Sequence, residues 1–87
     1  MCVVNVSTNK LRNPELEKLL KEHGFSPCDG LRDWSNYWYM VIDFSCALFC
    51  YANNTEKRID MTELQILLML YSAGGVEPVN EYLRSQS

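Results

Sequence analysis

Eighty-seven residues with 47% hydrophobic and 22% charged content and a net charge of −3 describe one globular domain, residues 1–87, and exclude a disordered polymer. A domain this small buries only about 60 to 65% of the surface its unfolded chain exposes, so a large apolar block strains its capacity for self-cover. Eleven acids and eight bases are interspersed along the chain without a basic run, and nucleic acid is therefore not the expected partner.

The first nine residues, MCVVNVSTN, lack the charged start, long apolar region and cleavage site of an export signal. The apolar block at 37–51 (YWYMVIDFSCALFCY) carries Asp43 and falls short of the roughly 20 residues a membrane helix needs. A cytoplasmic protein without membrane contact is expected. In that compartment the four cysteines read as reduced thiols, with Cys46 and Cys50 acting as small hydrophobes inside the apolar block.

In chain order, the β-branched segment 2–6 (CVVNV) predicts a strand. Asn13 then caps a helix whose first position is Pro14, with Glu15 and Glu17 at the positive end of the dipole. Leu16, Leu19, Leu20 and His23 form its buried stripe, Glu17 and Lys21 pair at i, i+4 on its outer face, and Gly24 stops it. Segment 26–36 (SPCDGLRDWSN) reads as a loop. The apolar block is too long for one strand, so it divides near residues 43–45 into a hairpin, although no glycine marks the turn. The competing reading keeps a strand at 37–43 and lets Ser45 cap a short helix at 46–52.

Residues 53–58 (NNTEKR) are an exposed loop. Asp60 and Glu63 stand at capping-box spacing and open a second helix that runs to Ala73, before Gly74 and Gly75 end it. Pro78 starts a last short helix in which Val79, Tyr82 and Leu83 make an apolar stripe. The expected fold is α+β: a small antiparallel sheet, made of the N-terminal strand and the central hairpin, packed on two main helices with a short C-terminal helix.

Both alternating sets of the central strand are apolar, with Tyr37, Tyr39 and Val41 on one side and Trp38, Met40, Ile42 and Phe44 on the other. One side must be core, and the tyrosine side then suits an interface. The neighbouring loop adds Arg32, Asp33 and Trp34, and Arg and Trp are frequent interface anchors. The expected partner-binding set is Arg32, Asp33, Trp34, Tyr37 and Tyr39, the alternative being that Trp34 folds back to cap the core. The second helix is apolar almost all round. It is either the central helix of the domain or a subunit contact through Ile66, Met69, Leu70 and Tyr71.

His23, Cys28, Cys46 and Cys50 are four soft ligands on paper, but they lack the tight C-x2-C spacing of structural zinc sites. No metal or other cofactor is expected. No paired carboxylates, glycine-rich phosphate loop or Ser/His/Asp set is present, so the chain is expected not to be an enzyme.

Residues 62–87 (TELQILLMLYSAGGVEPVNEYLRSQS) are similar in outline to the opening helices of a winged-helix DNA-binding domain, which implies a nucleic-acid-associated regulator acting through the C-terminal helices. The likeness covers less than a third of the chain, and Arg84 is the only base within it. In size, acidity and class the chain also resembles the small α+β proteins that bacteriophages use to bind and inhibit host or defence machinery. That resemblance implies a protein inhibitor and transfers no residue. The expected function is a non-enzymatic protein-binding module, a small inhibitor or regulator of a macromolecular partner, acting as a homodimer. A thiol or metal-binding protein stands third.

Overall fold

The computed structural model describes residues 3–7, 14–28, 39–52 and 57–86. Its elements in chain order are β1 (Val3–Ser7), α1 (Pro14–Glu22), β2 (Ser26–Pro27), β3 (Tyr39–Asp43), β4 (Leu48–Ala52), β5 (Arg58–Ile59), α2 (Met61–Gly74) and α3 (Val76–Ser85).

The alternation of the long strands sets the core. Val4 opposes Ile42 and Val6 opposes Met40 across the antiparallel β1–β3 pair. Ile42 opposes Phe49 and Met40 opposes Tyr51 across the antiparallel β3–β4 pair. All of these side chains are buried, because residues two apart on a strand share a face. They form one apolar cluster with Leu16 and Leu20 of α1, Leu64, Leu67 and Leu68 of α2, and Val79 and Leu83 of α3. The helices thus cover one face of the sheet. Of the opposite face, Val3, Tyr39, Val41 and Cys50 are half-buried and Leu48 is exposed, while Asn5 is buried.

The sheet is mixed, which corrects the expectation of a purely antiparallel one. Its order is β2-β4-β3-β1-β5, and both outer strands run parallel to their neighbours, β5 to β1 and β2 to β4. Each outer strand has two residues, too few for a period to show in sequence. Pro27, a loop signal, is tolerated in an edge strand because only the residues flanking it donate to β4. Ser26 N–H bonds Ala47 O at 3.0 Å and Cys28 N–H bonds Phe49 O at 2.9 Å.

The hairpin forms as expected, and the competing helix at 46–52 gives way to β4. Its turn uses Ala47 at φ 55° in place of a glycine. Phe44, in the turn, is fully buried and meets Phe25 edge-on at 5.3 Å and Tyr71 at 5.7 Å between ring centroids. This aromatic cluster anchors the turn against α2.

Helix ends follow local chemistry. After α1 the Phe25 N–H reaches Leu20 O at 2.9 Å and the Gly24 N–H reaches Lys21 O at 3.0 Å, the bond pattern of a Schellman stop, with Gly24 at φ 89°. Asp60 caps α2 by accepting from the Glu63 N–H at 2.8 Å. α3 begins at Val76, two residues before the Pro78 start expected. Proline fits there because the first-turn N–H groups have no intrahelical acceptors.

Candidate interaction surface

α2 buries Leu64, Leu67 and Leu68 on one side. Its exposed residues are Met61, Thr62, Gln65, Ile66, Met69, Ser72, Ala73 and the terminal Gly74. At 100° per residue, Met61 to Ala73 in this set occupy one continuous arc of about 140°. Not one is charged. The only charged residue of α2 is Glu63, which is half-buried beside the cap. Met69 is 72% exposed, Met61 38% and Ile66 37%. The neighbouring helices present the opposite character: α1 exposes Glu15, Lys18, Lys21 and Glu22, and α3 exposes Glu77, Glu81 and Arg84. A groove of about 470 Å³ runs between α1 and α2, lined by Glu15, Leu16, Lys18, Leu19, Glu22, Met61 and Gln65, so the uncharged arc borders a concave flank that carries the charges of α1.

The structure separates the residues expected at a subunit contact. Ile66 and Met69 lie on the exposed arc. Leu70 and Tyr71 are partly buried and pack against the core, with the Tyr71 ring 5.2 Å from that of Phe25. Of the expected partner-binding set, Arg32, Asp33, Trp34 and Tyr37 lie outside the described residues. Tyr39 is half-buried on the sheet face away from the helices. Its hydroxyl accepts from Arg58 Nη1 at 3.0 Å, with the guanidinium carbon 5.4 Å from the ring centroid. The hydroxyl bond fixes the ring, and the cation over it adds a weaker attraction.

Glu17 was expected on the outer face of α1, paired with Lys21. It is instead 4% exposed, and the Tyr51 hydroxyl donates to its Oε2 at 2.7 Å. A carboxyl group closed off in this way meets no substrate and serves to join α1 to β4. No local signal could have revealed it, since its partner lies 34 residues away. His23 is half-buried, with Nδ1 2.9 Å from Leu19 O. Among the described residues, no three His, Cys, Asp or Glu side chains gather as a metal cluster. At the mouth of the hairpin turn, Asp43 Oδ1 accepts from Ser45 N at 2.9 Å and Ser45 Oγ at 2.6 Å. The Ser45 hydroxyl, aided by backbone N–H groups of the turn, holds the Asp43 carboxyl below its ordinary range against a smaller opposing effect of burial.

The arc on α2 keeps Ile66 and Met69 of the expected contact and adds Met61, Thr62, Gln65, Ser72 and Ala73. Its signal was in the sequence: between Glu63 and Glu77 the chain carries no charged residue. No protein-family model, curated protein or solved structure matches this chain. Among the described residues no helix is long and apolar enough to cross a membrane.

Proposed function

We propose that the chain is a non-enzymatic protein-binding module, an inhibitor or regulator that occludes a macromolecular partner, and that it self-associates through the outer arc of α2. The observation that carries this reading is the absence of charge on every exposed position of α2, flanked by two helices whose exposed faces are charged. Solvated helix faces carry charge, whereas the centre of a protein contact is depleted of it and enriched in methionine and aromatics. The 14 residues of α2 make a cylinder about 21 Å long. That alone falls short of the roughly 800 Å² per partner of a standard interface; the proposed contact extends over the α1–α2 groove, whose Glu15, Lys18 and Glu22 form its charged rim.

Sedimentation equilibrium tests the self-association. The wild-type chain of 10.1 kDa is expected to sediment at about twice that mass at micromolar concentration. Met69→Glu, a charge at the most exposed apolar position, is expected to return it to a monomer with an unchanged circular dichroism spectrum. A wild-type chain that stays monomeric at every accessible concentration removes the self-association.

A further inference from the structure

The sheet face away from the helices holds a hollow of about 170 Å³, walled by Val3, Val41 and Leu48, with Asp43, Cys28 and Cys50 also in its lining. The two thiols are neighbours by register. Ser26 pairs with Leu48 and Pro27 with Phe49 in the parallel β2–β4 ladder. The Cys28 N–H then donates to the Phe49 carbonyl, the bond a parallel ladder makes when residue 28 stands opposite residue 50. Opposed residues share a face, and adjacent strands lie about 4.8 Å apart, within the Cα separation of about 4.4 to 6.8 Å that a disulfide spans. Both cysteines are half-buried thiols outside any disulfide, while Cys46 is exposed in the turn, four residues before Cys50. Cys28 directly follows a two-residue edge strand.

We propose that Cys28 and Cys50 form a reversible dithiol–disulfide site, oxidised by a low-molecular-weight disulfide of the glutathione class. One cysteine, as thiolate, attacks a sulfur of the oxidant, breaks its S–S bond and releases the first glutathione thiolate. The second cysteine thiolate attacks the protein-bound sulfur of the mixed disulfide, forms the Cys28–Cys50 bond and releases the second. The two thiol protons end on the two glutathiones, and two electrons pass from the protein to the oxidant. The product ties β2 covalently to the hairpin where the two backbone bonds from Ser26 and Cys28 now hold it. This site is independent of the α2 surface.

The test uses the full wild-type chain, incubated with excess glutathione disulfide and mapped by mass spectrometry after proteolysis without reduction. Cys28 and Cys50 are expected to lose their reactivity toward a thiol-labelling reagent together, whatever adducts form on the exposed Cys46. The cross-linked pair should weigh about 2 Da less than its two reduced peptides together, the loss of two hydrogens. One cross-linked peptide should join the segments carrying Cys28 and Cys50, and dithiothreitol should reverse it. Cys28→Ser is expected to accumulate a glutathione adduct on Cys50 that never closes. Cys28 and Cys50 both retained as thiols under excess oxidant, glutathione adducts that persist on either of them in the wild type, or a cross-link joining any other pair overturns the proposal. The decisive map is made on the wild type, so a poorly folded variant does not obscure it.

Discussion

Ala47 carries the conformational cost of a hairpin turn that has no glycine. At φ 55° an L-residue is disfavoured by about 1 kcal/mol relative to glycine. Its methyl group packs partly against the core, and losing that contact offsets some of the gain from relief. Ala47→Gly is therefore expected to stabilise the fold by about 0.5 kcal/mol, read as a higher urea midpoint at unchanged slope. Two residues before it, Ser45 holds Asp43 ionised. The Asp43 carboxyl titrates below its ordinary value of 3.8 in the folded chain. Its contribution to stability is therefore present above the unfolded value and is lost as pH falls through the folded one. The pair is largely solvent-exposed and screened, so Ser45→Ala is expected to cost only about 0.5 kcal/mol at pH 7. The difference from wild type should shrink as pH is lowered below 3.8 and through the folded value in paired urea titrations. A cost that persists undiminished there would assign it to the turn backbone instead.

Among the elements, α2 and α3 are separated by Gly75 alone, which stands at φ 77°, ψ −146°, a region essentially restricted to glycine. A Cβ built there meets nothing within 4 Å, so Gly75→Ala tests backbone strain without a clash. It is expected to cost about 1 to 3 kcal/mol and to lower Tm by about 5 to 15 °C. Such a junction was legible in sequence because helix ends are local: Asp60, Gly24 and the Gly74–Gly75 pair announce themselves within a turn. The alternation of Met40, Ile42 and Phe44 was equally legible, but which side faced the core was not, since both sets are apolar. What stayed hidden depends on distant partners. The outer strands exist only because β4 and β1 supply edges for them, and Glu17 turns inward because Tyr51 awaits it. The hairpin turn forms without glycine because Phe25 and Tyr71 hold Phe44. Of the candidate surface, the apolar excess of α2 was readable. That Leu70 and Tyr71 point to the core while Ile66 and Met69 point out required the packing.

For the whole molecule, the distribution of charge separates the protein-binding reading from the one that likens the C-terminal helices to a winged-helix domain. On α1, Lys18 and Lys21 share the exposed face with Glu15 and Glu22, and on α3 Arg84 is outnumbered by Glu77 and Glu81. Lys57 and Arg58 are adjacent and exposed, but the Arg58 guanidinium is engaged with the Tyr39 hydroxyl. No helix among the described residues presents a face of bases alone, so few phosphates can be neutralised at once. Each neutralised phosphate on duplex DNA contributes about 0.9 to the salt slope, so the slope of log K against log salt is expected to be no steeper than about −2. The dissociation constant should stay above about 10 μM at physiological salt, within the range of non-specific binding. Fluorescence anisotropy with a labelled duplex at two salt concentrations measures both quantities. Submicromolar affinity with a slope near −5 would mean about five or six phosphates engaged. That would require a basic surface from residues outside those described, and would displace the α2 arc as the principal contact of this protein.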